Sequence, residues 1–387
     1  MEMKRIAILG STGSIGQSTL DVIIANPGCF RVVALAAGRN VELLSEQVRK
    51  FRPHYVTVQS PDEIPHLKSL CPNIEAEIGC GQEGLIAAAT FPENDIVLNA
   101  LVGSVGLVAS LEVIRSGKPL ALANKESLVV GGSLFKEEME KSGATILPVD
   151  SEHSAIWQCL RAGRVDEVRR IWLTASGGPF RERDKSSFKN ITVEEALSHP
   201  TWKMGPKITI DSATMMNKGL ELIEAVHLFS VPPDQVKIVI HPQSIVHSMV
   251  EFVDSTIIAQ LSYPDMRLPI AHALFWPERL PSRNGQVDLT KVGTLTFSEP
   301  DEDKFPALRL ARTAVEKGGT APSALNAANE IAVEQFLTGR IGFETITELI
   351  EKILVKHVVN PCPTLADILE CDRLTRDLAK QMIESLV

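Results

Sequence analysis

Over the first 149 positions, short apolar runs alternate with longer stretches of helical spacing. Residues 5–9, 31–36, 55–58, 95–99, 119–123 and 145–149 predict strands. Stretches such as 41–50 and 107–116 carry the three- and four-residue apolar spacing of helices between them. Strand–helix alternation of this kind predicts a parallel α/β sheet. The texture changes over 150–280, where residues 207–210, 237–240, 245–252 and 256–261 predict a second sheet with a helix over 219–229 packed nearby, an α+β domain. Residues 281–305 lie in a Pro-, Gly- and acid-rich stretch and predict a linker. From 306 to 387 the pattern is helical. Ile346, Leu349, Ile350, Ile353 and Leu354 share one helix face, as do Leu374, Leu378 and Met382. Gly318-Gly319, Gly339 and Pro361 divide this last segment into four helices, a small bundle.

Composition narrows the class. The 387 residues are 44% hydrophobic and 22% charged, enough apolar material for large cores, which excludes disorder and a disulfide-stapled miniprotein. Thirty-nine Lys and Arg against 48 Asp and Glu leave a net charge of −9, which argues against a protein that coats nucleic acid. With aromatics at only 5% there is no stacking platform for single strands. No apolar run approaches the ~20 residues of a membrane helix. The opening Met1–Ile6 stretch runs into a strand without a leader pattern, so the expectation is a cytoplasmic enzyme away from membranes. The six cysteines include no Cys-x-x-Cys pair, which predicts reduced, mostly buried thiols rather than a zinc cage.

The first predicted strand runs into Gly10-Ser11-Thr12-Gly13-Ser14-Ile15-Gly16. Glycines let a backbone approach a pyrophosphate, and a helix N-terminus offers free N–H groups. The spacing Gly-x-x-Gly-x-x-Gly departs from the usual dinucleotide pattern, and an ordinary glycine-rich turn would share it. The second strand discriminates better. NAD sites place an acid at its end, on the ribose 2′-hydroxyl. Here Gly38-Arg39-Asn40 stands there instead, and a guanidinium suits a 2′-phosphate, so the reading is NADP(H). Without the strand context, Arg39 also fits a solvated surface.

Three later strand ends carry polar groups: Asn99 to Gly103, then Asn124-Lys125-Glu126-Ser127, then Asp150-Ser151-Glu152-His153. Ligands of open parallel sheets bind at that edge. Any one of these could be a helix cap; the three together read as one face of an active site. Asp150 and Glu152 could hold a hard cation, Mg²⁺ or Mn²⁺, although the spacing alone also suits a solvated turn. A third ligand is sought in 211–221, where Ser212, Asn217 and Lys218 offer donors to phosphate or hydroxyl oxygens and Glu221 follows on the same helix. Ser176-Gly177-Gly178-Pro179 is a second phosphate-type loop, or a plain turn. Between the two lies 199–206, whose Trp202 suits a lid that excludes water or, alternatively, a structural loop. His241 and His247 read as structural.

With these residues assembled, the chain resembles the 1-deoxy-D-xylulose 5-phosphate reductoisomerase family of the methylerythritol phosphate route to isoprenoids. The matching segments are 10–16, 122–128, 148–153, 176–181, 199–205, 211–224, 241–249 and 325–330, and 211–219 and 123–127 are the most specific. The resemblance implies a Rossmann-like NADPH domain, an α+β catalytic domain and a C-terminal four-helix bundle. It implies rearrangement and reduction of 1-deoxy-D-xylulose 5-phosphate to 2-C-methyl-D-erythritol 4-phosphate, with NADPH and one divalent ion per subunit, in a homodimer. Thr12, Gly13, Ser14, Ile15, Gly38, Arg39, Asn40, Asn124, Glu126 and Gly205 would contact NADPH. Asp150, Glu152 and Glu221 would hold the ion. Ser176, Ser212, Asn217, Lys218 and His199 would hold the substrate, with Lys125, Ser151, Glu152 and Glu221 at its reacting carbons. Lys125, Glu152 and Glu221 would be the catalytic groups, and Trp202 and Met204 part of the lid. Pro206 departs from the basic residue of many relatives. The rivals are an NADP-dependent semialdehyde or homoserine-type dehydrogenase and a non-catalytic NADP sensor; neither needs the three-carboxylate cluster.

Overall fold

The computed structural model describes residues 3–200, 202, 204–281 and 285–385, which fall into two compact units. Thr201 and Lys203, in the predicted lid, lie outside the described residues.

The first unit comprises 3–127, 134–154 and 265–281. Its seven strands are β1 (Lys4–Leu9), β2 (Phe30–Ala36), β3 (Tyr55–Val58), β4 (Glu77–Cys80), β5 (Ile96–Asn99), β6 (Leu120–Leu122) and β7 (Ile146–Pro148). All pair in parallel, in the order β4-β3-β2-β1-β5-β6-β7. This is the Rossmann-like arrangement. Helices cover such a sheet on both faces, so its strands are continuous apolar runs; Ile6 to Leu9 are fully buried. The order reverses between β1 and β5, the topological switch point where ligands of this fold bind. Leu9 aligns with Asn99, Asn99 with Leu122 and Leu122 with Pro148, so the polar segments after β1, β5, β6 and β7 emerge at one edge.

The helix Arg267–Phe275 groups with this unit, not with the segment 150–280 where the sequence pattern had it. Phe275 meets Phe30 edge-on at 4.9 Å, and Lys4 Nζ donates to the carbonyls of Leu274 and Trp276 at 3.0 and 3.2 Å. These are long-range contacts that no local pattern encodes.

The second unit comprises 128–133, 155–264 and 285–385. Its strands are β8 (Val168–Ala175), β9 (Val236–Ile240), β10 (Val246–Phe252) and β11 (Ile257–Leu261), ordered β11-β10-β8-β9. The pair β8–β9 is parallel and the other two are antiparallel. The four C-terminal helices are Ala307–Lys317, Ala321–Leu337, Phe343–Lys356 and Leu365–Glu384. They share one core with the sheet, in which Phe180 and Phe188 both pack edge-on against Phe343.

Two sequence expectations are revised here, and the strands β4 and β8 were missed. Residues 207–210 are not a strand but part of the helix Pro206–Ala213; their β-branched Ile-Thr-Ile run hid a helix opened by proline at its first position. Strand β8 was not foreseen, because Arg169 and Arg170 break its apolar alternation. The predicted linker is mostly exposed among its described residues but touches the second sheet near its end: Ile240 and Ser298 exchange backbone hydrogen bonds of 2.8 and 3.0 Å, and Phe297 stacks on His241 at 4.7 Å. All six cysteines are free, and three of them (Cys71, Cys159 and Cys371) are buried. No helix among the described residues is long and apolar enough to cross a membrane.

Candidate active site

In the first unit, Gly10 leaves β1 with φ of +85°, and a Cβ there would lie 2.6 Å from the Ala100 carbonyl oxygen. A Cβ on Gly16 would lie 2.3 Å from the Gly10 carbonyl oxygen. These two glycines therefore close the turn sterically. Gly13 precedes the helix Ser14–Ala25 as its N-cap and supplies no side-chain cap. Gly13 and Ser14 are exposed, and Thr12 and Ile15 half-buried. An uncapped, exposed helix N-terminus presents N–H donors and the positive dipole end to an anion.

Gly38, Arg39 and Asn40 follow β2, and Arg39 is exposed. The Asn40 side-chain oxygen accepts from Leu43 N at 3.0 Å and so caps the next helix. Asn124 is also committed to structure. It is buried, and its Nδ2 donates to the carbonyls of Leu101 and Gly103 at 3.0 and 2.9 Å and to Glu126 Oε2 at 3.2 Å. Ser127 Oγ donates to Asn124 Oδ1. The amide thus staples the segment after β5 to the start of the helix Lys125–Ser142.

Lys125 heads that helix, nearly buried, and its ammonium pairs with Asp150 Oδ2. Burial works to raise the Asp150 pKa, but the charges of Lys125 and His153 and hydrogen bonds from Lys125 and Glu152 outweigh it and hold the carboxyl far below its usual range. Beside it, Ser151 Oγ donates to Glu152 Oε2 at 2.6 Å.

In the second unit, Ser176 follows β8. Gly177 and Gly178 both have positive φ, and a Cβ on Gly178 would lie 2.6 Å from the Ser212 carbonyl oxygen. The Ser176–Gly178 loop is thereby seated on the end of the helix Pro206–Ala213. His199 Nδ1 accepts from Trp202 N at 2.9 Å, which assigns the ring proton to Nε2, 3.3 Å from Ser176 Oγ. Burial lowers the His199 pKa, which favours this neutral ring. Ser176 Oγ also accepts from Gly178 N at 3.3 Å.

Met215, with φ of +63°, turns the chain from that helix into the helix Met216–Phe229. Asn217 Nδ2 donates to Glu221 Oε1 at 2.6 Å, and Lys218 pairs with Glu221 Oε2; Lys218 and Glu221 are both buried. Ser212, Asn217, Lys218 and Glu221 therefore belong to one helix corner. Gly205 is exposed and caps Pro206–Ala213 at its N-terminus. The Trp202 ring stands 6.3 Å from the ring of His247, whose pKa burial pushes down to about 4 with help from the Lys218 charge. Sequence reading set His247 aside; its neighbour Trp202 is forty-five positions away, and only folding brings the two together.

Models of the 1-deoxy-D-xylulose 5-phosphate reductoisomerase family match residues 6–132, and models of its C-terminal domains match 146–229 and 261–378. The chain is 52% identical over 381 residues to the 1-deoxy-D-xylulose 5-phosphate reductoisomerase of Pelodictyon phaeoclathratiforme, covering 98% of this chain and 100% of that protein. The Zymomonas mobilis reductoisomerase solved with NADPH superposes with a TM-score of 0.92 at 44% identity, over 99% of this chain and 100% of that one. A DOX-P reductoisomerase solved with NADPH, fosmidomycin and magnesium gives 0.95 at 43% identity, over 99% of both chains. With agreement of this extent across its whole length, the chain belongs to the 1-deoxy-D-xylulose 5-phosphate reductoisomerase family.

Proposed function

We propose that the chain rearranges and reduces 1-deoxy-D-xylulose 5-phosphate to 2-C-methyl-D-erythritol 4-phosphate, using NADPH and one divalent ion, Mg²⁺ or Mn²⁺. The observation that carries this reading is the end-to-end match to a reductoisomerase solved with NADPH, fosmidomycin and magnesium.

The residues fit both groups. The uncapped helix N-terminus at Gly13, with Gly10 and Gly16 too confined for side chains, suits a pyrophosphate. We assign NADPH to Thr12, Gly13, Ser14, Ile15, Gly38, Arg39, Asn40, Asn124, Glu126 and Gly205, with Arg39 on the 2′-phosphate. Asn40 and Asn124 contribute through backbone and loop shape, since their side chains already hold structure. We assign the ion to Asp150, Glu152 and Glu221, an all-oxygen set that selects hard cations. When bound, the ion supplies Lewis-acid stabilisation of oxyanion charge and NADPH supplies the hydride.

The chain's own groups do the rest. Ser176 Oγ, Ser212, Asn217 and Lys218 bind the phosphate end, and His199 Nε2 fixes the Ser176 hydroxyl. Lys125 keeps Asp150 ionised and brings a positive charge to the reacting oxygens. Ser151 orients Glu152, whose carboxylate moves the proton between substrate hydroxyl and carbonyl oxygens. Trp202 and Met204 cover the bound substrate and exclude water. We place the enzyme in the cytoplasm as a homodimer, with no nucleic-acid or membrane partner.

The test is direct. Purified protein is mixed with NADPH, Mn²⁺ and 1-deoxy-D-xylulose 5-phosphate, and absorbance at the NADPH band is followed. Substrate-dependent oxidation that stops on chelation supports the reading. Absence of oxidation with any divalent ion overturns it.

A further inference from the structure

The segment 325–330 is among the most buried in the chain, yet it carries two asparagines and belongs to the bundle rather than to any ligand site assigned above. Asn329 is completely buried among alanines and leucines of the helix Ala321–Leu337. Its Nδ2 donates to Asp211 Oδ1 at 2.8 Å, across 118 positions of sequence. Asp211 is itself only 1% exposed, and its other oxygen, Oδ2, lies 2.8 Å from Lys207 Nζ. A buried carboxylate is tolerated only when its oxygens are satisfied, so the amide and the ammonium together hold Asp211 in one orientation.

Asp211 stands directly before Ser212, in the last turn of Pro206–Ala213. From there the corner is tight. Thr214 N donates to Ile210 O at 2.9 Å, Met215 N donates to Ser212 O at 3.2 Å, and Lys218 N donates to Met215 O at 3.1 Å. A second contact from the bundle braces the far side: a Cβ on Gly219 would lie only 2.7 Å from Ala311 Cβ, so the two helices touch through small residues. The corner that bears Ser212, Asn217 and Lys218 is thus gripped from the bundle at both ends.

We propose that Asn329 is a positioning residue for substrate binding: through Asp211 it sets the place of the Ser212–Lys218 corner, and so couples the C-terminal bundle to the phosphate end of the substrate. The inference rests on the assignment of Ser212, Asn217 and Lys218 to that phosphate. It gives the bundle a part in affinity, distinct from stability.

Three variants test it in the full-length enzyme, with melting temperature, the Michaelis constant for 1-deoxy-D-xylulose 5-phosphate and the dissociation constant of NADPH all measured. Asn329→Leu fills the same space without the donor, and Asn329→Asp sets two carboxylates against each other. Each should raise the substrate Michaelis constant several- to about thirtyfold while NADPH affinity stays within about twofold, the scale on which a residue that does not touch the ligand modulates its site. The exchanged pair Asp211→Asn with Asn329→Asp restores one donor and one acceptor but takes the carboxylate away from Lys207, so it should recover part of the loss relative to Asn329→Asp alone. Unchanged substrate Michaelis constants in both single variants overturn the proposal. A fall in melting temperature or active fraction alone, or failure of both single variants to fold, also overturns it, because Asn329 would then serve the fold and not the site. Ser212→Ala and Lys218→Gln are run alongside. If these leave the substrate Michaelis constant unchanged, the phosphate assignment itself is wrong; if they raise it and the Asn329 variants do not, only the coupling fails.

Discussion

Asn217 donates its side-chain amide to Glu221 Oε1 at 2.6 Å, one helical turn along, while Lys218 pairs with the other oxygen of the same carboxylate. Both carboxylate oxygens of Glu221 are thereby held in one orientation in a buried place, as ligation of a hard cation requires. Glu221→Gln keeps the shape and removes the charge. Turnover should fall at least about a hundredfold, as for loss of a metal ligand or its orienting shell. Steady-state rates across a Mn²⁺ titration check this; near-normal activity at low Mn²⁺ would refute the ligand role.

Arg39 is exposed at the end of β2, with no acid beside it in Gly38-Arg39-Asn40. Arg39→Ala should raise the Michaelis constant for NADPH about ten- to a hundredfold, the worth of charge-assisted hydrogen bonds to a phosphate. The constant for NADH, which lacks that phosphate, should barely change. Equal increases for the two cofactors would remove the 2′-phosphate from Arg39.

Gly178 has φ of +69°, and its missing Cβ would sit 2.6 Å from the Ser212 carbonyl oxygen. Gly178→Ala should displace the Ser176 loop from the Ser212 corner and cost about 1–3 kcal/mol in left-handed strain. Denaturant unfolding measures the stability and the substrate Michaelis constant measures the displacement. A variant with wild-type values for both would mean that the loop moves freely.

Trp202 is half-buried, with its ring 6.3 Å from His247. Trp202→Ala should depress kcat/KM by at least about tenfold through loss of water exclusion. Its melting temperature should stay close to that of the parent. A cooperative loss of stability instead would place the indole in the core.

Burial pushes the pKa of His227 and of His247 down to about 4, against 6.5 for the unfolded chain. Both rings are neutral when folded at pH 7. As pH drops below 6.5 the unfolded state takes up protons first, so stability declines progressively until the pH passes about 4. Melting temperatures between pH 7.5 and 5 should therefore fall, and His227→Gln should make the fall shallower. Identical slopes in parent and variant would show that His227 is not protonated on unfolding.

Local sequence carried a good part of this protein. The strands β1, β2, β3 and β5 are short apolar runs with polar ends, and that chemistry alone placed them within a residue or so. The four C-terminal helices followed from apolar spacing and glycine or proline punctuation. The acid-free end of β2 and the carboxylates at 150, 152 and 221 were legible because charge and spacing are local properties. The end-to-end resemblance added roles that composition and periodicity could not supply.

Tertiary structure decided the rest, because long-range pairing has no local signature. The run 207–210 reads as a strand by its β-branched residues, yet Pro206 and its neighbours in the fold make it helical. The helix Arg267–Phe275 lies with the first unit because Phe30 and Lys4, more than 240 positions away in sequence, receive it. Asn40 and Asn124, which the resemblance gives to the cofactor, also carry structural hydrogen bonds that only folding supplies, Asn40 to Leu43 N and Asn124 to the carbonyls of Leu101 and Gly103. Asn329 and Asp211 are unremarkable apart, and it is burial that forces each to find the other. Sequence chose which chemical groups this protein has; packing chose which of them are buried together and which hold the others in place.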